Sequence, residues 1–201
     1  MLPKVLVSAL FSTMALAGPI LTARQDDGSS TQALLNQINT IEANIAKLNN
    51  TLNGFQPDAV LGAGKALVIQ WQTDELGDSL EDATDIINNS DAFNATDSGT
   101  IAFAVLGLQP KIASLLNNIV VHKPAFSSVL FLLDLSQTVE DDLIDQKQES
   151  NDFGTALGSK LTGVFAAGAP LINAQIQQYF TDAIGNYTAC DGVVCLPPIN
   201  F

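Results

Sequence analysis

The chain has little charge, one histidine, two cysteines and one tryptophan, and each shortage removes a class of function. Charged residues make up 14% of the 201, where about 25% is usual for globular domains. Eight are lysine or arginine against 21 aspartate or glutamate, a formal net charge of −13. A surface this acidic repels phosphate backbones and anionic headgroups, so nucleic acid is not an expected partner. His122, beside Lys123 and Pro124, supplies neither a zinc ligand set nor a triad, and no Gly-Xaa-Ser-Xaa-Gly elbow occurs. It reads as a helix-end residue near a carbonyl. Gly62, Gly64 and Lys65 are too closely spaced for a phosphate-binding loop. The carboxylates fall on polar helical stripes with nothing apolar to raise a pKa, which leaves glycoside chemistry without an acid. Cys190 and Cys195 lack redox spacing and metal partners, so a local disulfide closing a small loop is expected. No catalytic residue, metal or cofactor follows from the sequence.

What is there begins with Lys4, the apolar run Val5 to Leu16 and the small-residue pattern Ala15, Leu16, Ala17. Residues 1–17 read as a secretory signal peptide, too short to span a membrane. Losing Lys4 with it moves the formal charge from −13 to −14. Residues 18–30 read as a flexible lead-in, 31–188 as one helical domain and 189–201 as an irregular tail. Hydrophobic residues reach 47%, which is ordinary. The charge that is missing is replaced by small and neutral polar residues, as suits a secreted glycoprotein. Four sequons, at Asn49, Asn88, Asn94 and Asn186, fit that reading, three of them at or beyond expected helix ends.

The domain is organised around Leu34, Ile38, Ile41, Ile45, Leu48, Leu52 and Phe55, which step by four and three along one side of a helix. Ser29 to Thr31 offer N-caps, and Gly54 with Pro57 offers a stop. The stepping resumes through Ile69, Leu76, Leu80, Ala83 and Ile87, opposite Asp74, Asp78, Glu81, Asp82 and Asp85, a solvated acidic face. A third helix, apolar on nearly all sides, reads as central, with Pro110 expected to kink or divide it. Lys111, Asn117 and Asn118 argue against a membrane span there. A fourth helix begins near Ala125, and a last one carries Phe153, Leu157, Leu161, Phe165, Ile172, Ile176, Phe180 and Ile184, bent at Gly168 and Pro170. Trp71, at a seam edge, reads as core. The fold expected is all-α, an antiparallel bundle of about five helices.

The order of these features resembles the fungal hydrophobic surface binding protein A family, which also takes in antigenic cell-wall galactomannoproteins. The features are the signal peptide, a short lead with Arg24, the Leu34 helix, a central apolar helix ending near Val121 and the Lys123, Pro124, Ala125, Phe126 junction. The run Val129 to Leu133 followed by Glu140 to Asp142 completes it. The resemblance spans Ala33 to Tyr187. It implies a secreted, glycosylated, non-enzymatic helical protein that adsorbs to hydrophobic surfaces and holds fatty acids between helices. The Ser/Thr-rich, lipid-anchored tail of some wall mannoproteins is missing, so free secretion or loose wall retention is expected.

Two roles compete. In the first, an apolar ligand lies among the third to fifth helices, lined by Val105, Leu108, Ile112, Leu115, Leu116, Ile119, Phe126, Leu130, Leu133, Leu157, Leu161 and Phe165, with Ser136 or Gln137 meeting its carboxylate. In the second, the bundle adsorbs to hydrophobic surfaces and brings a secreted hydrolase with it. Exposed apolar surface in a bundle tends to pair, so a homodimer is compatible with either.

Overall fold

A computed structural model describes residues 27–56, 61–127 and 135–188. Among these it has α1 (Asp27–Asn53), α2 (Leu61–Asn88), α3 (Ala95–Val121), the single turn α4 (Lys123–Phe126), α5 (Ser136–Lys160) and α6 (Gly163–Thr188), and no strand. The signal peptide, Leu130, Leu133, Cys190 and Cys195 lie outside the described residues.

The α1 seam is the best buried part of the molecule: Leu34, Ile38, Ile41, Ile45, Leu48, Leu52 and Phe55 are all 3% exposed or less. The helix starts at Asp27, so the end of the expected 18–30 lead-in is helical. It closes through Phe55 N–H donating to Leu52 O (2.9 Å), which turns the Phe55 ring under the bundle against Phe126 (centroids 4.7 Å). On α2 the residues Ile69, Leu76, Leu80, Ala83 and Ile87 are buried, and the five acidic residues opposite them are exposed.

Three expectations fail. α3 is not central, because Phe103 and Val121 are 67% and 64% exposed and Leu106 faces water as well. Nor does Pro110 divide it: the helix runs unbroken through that residue. Pro110 and Leu106 both lie on the exposed side, where water can take the Leu106 carbonyl that the missing N–H leaves free. The last expected helix is really two. α5 ends at Lys160, Leu161 is extended (φ −71°, ψ 156°), and Gly163 at φ +62° turns the chain into α6, which continues through Gly168 and Pro170. A positive φ is what glycine allows at no steric cost. Trp71 is a further correction, since it is 59% exposed with Lys47 Nζ 4.4 Å from its ring centre.

Each long helix packs mainly against two others, in the order α1, α2, α5, α6, α3 and back to α1. The five therefore close a ring. Chain direction alternates from helix to helix, so the hairpins α1–α2 and α5–α6 are antiparallel, as Asn44 Nδ2 to Glu75 O and Gln177 Nε2 to Ser150 Oγ show. Contacts climb together along the other pairs: Glu42–Lys111 and Asn49–Asn118 join α1 to α3, and Gln70–Asp142 and Gln146–Thr73 join α2 to α5. Those neighbours are parallel. α3 has the length and composition of a membrane span, with a mean hydropathy of 1.4 over its most apolar window. Its Lys111 and Asn118 are instead engaged with α1.

One end of the ring is tied by a polar knot. Ser98, fully buried, donates to Phe93 O (3.2 Å) and accepts from Thr162 N–H (3.1 Å), while Phe93 N–H donates to Lys160 O (2.8 Å). Removing the Ser98 hydroxyl strands the Thr162 donor. Ser98→Ala is expected to lower the unfolding free energy in urea by about 2 kcal/mol. Thr100→Ala, on the exposed side of the same helix, is expected to change it by less than about 0.5 kcal/mol.

Candidate ligand-binding cavity

The seams that meet inside the ring do not fill it. Two chambers lie end to end along the bundle axis, sharing Ile41, Leu80, Ile112 and Ser150 as a common waist. Atom-free space, mouths included, is about 720 Å³ in the first and about 620 Å³ in the second. The space is thus an elongated slot with apolar walls, which suits an extended hydrocarbon chain.

The first chamber is bordered by Ile112, Leu115, Leu116, Ile119 and Phe126, and the second by Val105, Leu108, Ile112, Leu157, Leu161 and Phe165. These are ten of the twelve expected lining residues; Leu130 and Leu133 lie outside the described residues. The wall is wider than expected, because α1 contributes Ile41, Ile45 and Leu48 and α2 contributes Ile69, Leu76 and Leu80. Ser136 and Gln137 border neither chamber, and the exposed Gln137 donates to Asp141 Oδ1 (3.1 Å).

The polar groups that reach the first chamber come from α2 and α5: Thr73, Asp142, Gln146 and Ser150. Their signal was present in the sequence. The α5 seam steps through Val139, Leu143, Gln146, Ser150, Phe153 and Leu157, so two polar residues occupy apolar seam positions. Gln146 is 7% exposed; its Nε2 donates to Thr73 O (3.3 Å) and Glu149 Oε2 (2.9 Å), and its Oε1 is buried without a partner. Gly77 makes room for this approach, since a Cβ there would stand 2.8 Å from Gln146 Nε2 and 2.7 Å from Glu149 Oε2. In the second chamber Asn173 has a similarly unpartnered Oδ1.

Two carboxyls depart from the expectation of unperturbed, exposed acids. Burial pushes Asp142 above the usual carboxylate range against a lowering hydrogen bond from Gln70 Nε2 (3.1 Å), with Asp74, Asp145 and Asp141 adding to the rise. Burial likewise raises Glu149, helped by Asp145, Glu81, Asp78 and Asp152. Away from both chambers, burial also raises the Tyr187 phenol, which donates to Ile119 O (2.8 Å). Among the described residues no three His, Cys, Asp or Glu are placed to hold a metal ion. His122 Nδ1 lies 2.9 Å from Asn118 O at the end of α3. Of the sequons, Asn88 is the exposed last residue of α2, Asn94 caps α3 by accepting from Asp97 N–H (2.9 Å), and Asn186 is exposed on α6. Asn49 is half-buried in α1, accepting from Asn118 Nδ2 (2.8 Å).

The raised carboxyls set a pH dependence. The folded chain holds protons at Asp142 and Glu149 at pH values where the unfolded chain has released them, so their contribution to stability falls as pH rises past the ordinary carboxylate range. Asp142→Asn and Glu149→Gln are accordingly expected to raise the urea midpoint at pH 7, and to lose that advantage near about pH 4.5.

Comparison with known proteins agrees with this architecture. AfMP4p, solved in complex with palmitic acid, superposes with a TM-score of 0.73 at 25% identity, over 78% of this chain and 99% of that one. Ligand binding domains 1 and 2 of Penicillium marneffei MP1, both solved with arachidonic acids, superpose with TM-scores of 0.68 and 0.69. At 14% identity these two attest the fold alone; they cover 80% and 82% of this chain and 98% and 97% of their own. Among curated proteins none matches the sequence. The hydrophobic surface binding protein A family matches residues 31–159, and the chain belongs to it.

Proposed function

We propose that the protein is a secreted, non-enzymatic carrier that holds a fatty acid or similar single-chain lipid in the slot at the centre of the helical ring. The observation that carries this reading is the slot itself: elongated, lined from every long helix, and almost wholly apolar. A relative at 25% identity was solved in complex with palmitic acid, which supports it. Each methylene moved from water into such a lining gains about 0.8 kcal/mol. A chain of a dozen or more therefore outweighs the cost of immobilisation and gives binding in the micromolar range or tighter. Sugars on the exposed sequons and the net negative charge keep the exterior in water.

Two measurements test the reading. Organic extraction of the secreted protein followed by mass spectrometry is expected to release a long-chain lipid. Across saturated fatty acids that displace a fluorescent probe, affinity is expected to rise about fourfold per methylene until the slot is full. An empty extract together with no chain-length dependence removes the reading. Ile112→Trp, which puts a ring into the waist shared by both chambers, is expected to weaken fatty-acid binding at least tenfold while destabilising the fold by about 1–3 kcal/mol.

Adsorption to hydrophobic surfaces is a second reading, favoured by exposed apolar side chains that cluster. Leu67, Val68 and Trp71 share one turn of α2, and Val164 and Leu171 lie seven residues apart on α6. Leu67→Ser with Trp71→Ser is expected to reduce retention on hydrophobic beads and leave fatty-acid affinity within about twofold. A hydrolase brought to the surface by such adsorption would use the same patches.

A further inference from the structure

The polar atoms around the first chamber are of one kind. Thr73 Oγ1 donates its hydrogen to Ile69 O (3.0 Å), and Ser150 Oγ donates its own to Lys147 O (3.0 Å) while accepting from Gln177 Nε2 (3.0 Å). Gln146 spends Nε2 on Thr73 O and Glu149 Oε2. The Thr73 carbonyl can only accept, which fixes the amide orientation and leaves Oε1 as the bare, buried atom. Gln70 spends Nε2 on Asp142 Oδ1 and Asp74 Oδ1. What these side chains have left to offer a guest is lone pairs.

The charges around them have the same sign. Facing Asp142 are Asp141 and Asp145 on α5 and Asp74 on α2; facing Glu149 are Asp145 and Asp152 on α5 and Asp78 and Glu81 on α2. On the α6 side, Lys147 is turned away and donates to Thr181 Oγ1 (2.9 Å). A carboxylate placed in the first chamber beside Gln146 would meet acceptors and negative charge, with no cation among the described residues that border it. A hydroxyl or an undissociated carboxyl would meet the Gln146 oxygen with the donor that it lacks.

We propose that the slot selects amphiphiles whose polar end is an uncharged hydrogen-bond donor, such as a long-chain alcohol or an undissociated fatty acid, over the same chain ending in a carboxylate. The proposal rests on the slot being the lipid site. It makes acidity a determinant of loading: a fatty acid enters by taking up a proton, and a rise in pH releases it, whereas an alcohol is indifferent to pH between the two conditions below.

The test is displacement of a neutral fluorescent dye, N-phenyl-1-naphthylamine, from the intact protein by tetradecan-1-ol and by myristic acid, at pH 8 and pH 5. The alcohol is expected to compete at about tenfold lower concentration than the acid at pH 8. At pH 5, where burial favours the undissociated acid, the gap is expected to close from the acid's side. Gln146→Met, apolar and of similar length, is expected to close the gap at pH 8 by weakening the alcohol; Asp142→Asn, which adds an amide donor and removes a charge, is expected to close it by strengthening the acid. Equal competition by acid and alcohol from wild-type protein at pH 8 overturns the donor rule and leaves the lipid slot standing. A dye that binds but yields to neither compound overturns both.

Discussion

Everything in this molecule depends on closing five helices into a ring. Packed neighbours sit about 8–10 Å apart. In a regular ring of four at 9 Å the axes stand about 6.4 Å from the centre, and in a ring of five about 7.7 Å. Leu and Ile side chains that interlock across the first fall short across the second. The α1 seam shows that burial is not compromised, since Leu34, Ile41 and Leu52 are 1% exposed or less. It is the far side of the same residues that lacks a partner, and Ile41 accordingly borders both chambers. The slot is a consequence of helix number before it is a consequence of any particular side chain.

Ring order also decides which faces must live beside one another. With direction alternating along the chain, an odd ring forces like-directed helices into contact, and here α2 and α5 run side by side the same way. Both carry an acidic stripe, so the seam between them gathers carboxyls that an isolated helix would have left in water. Burial and mutual repulsion raise Asp142 and Glu149. The hydrogen bonds that bridge this seam are made by amides: Gln70 to Asp142, and Gln146 to Thr73. An amide can donate to a carboxylate or carbonyl without adding charge, and at Gln146 this leaves the oxygen buried and without a partner.

The helices were legible in the sequence where an apolar step of three and four met water on the other side, as along Leu34 to Phe55 and Ile69 to Ile87. They were misread where the same step crossed a turn. Leu157, Leu161 and Phe165 keep the spacing, yet the chain reverses between the last two, and only Gly163 betrays it. The placement of α3 at the centre failed for a different reason: Phe103 and Leu106 are apolar and exposed, and composition does not say which apolar residues a fold leaves outside. Ten lining positions could be named because they belong to seams. The contribution of α1 and α2 was missed because which seams converge is a property of the ring, which no local pattern encodes.

The least legible feature was the chemistry of the first chamber. Gln146 and Ser150 interrupt an otherwise apolar step on α5, which marks them, but their meaning depends on partners some 27 to 73 residues away, at Thr73 and Gln177. A buried amide fully paired would be structural cement and nothing more. Gln146 is paired on one side only, in a fold where Thr73, Ser150 and Gln70 spend their own hydrogens on acceptors close at hand. An unpaired acceptor held out of water costs stability in the empty protein. A guest that brings a donor recovers that cost on entry, so the same defect that weakens the fold supplies the site with its discrimination.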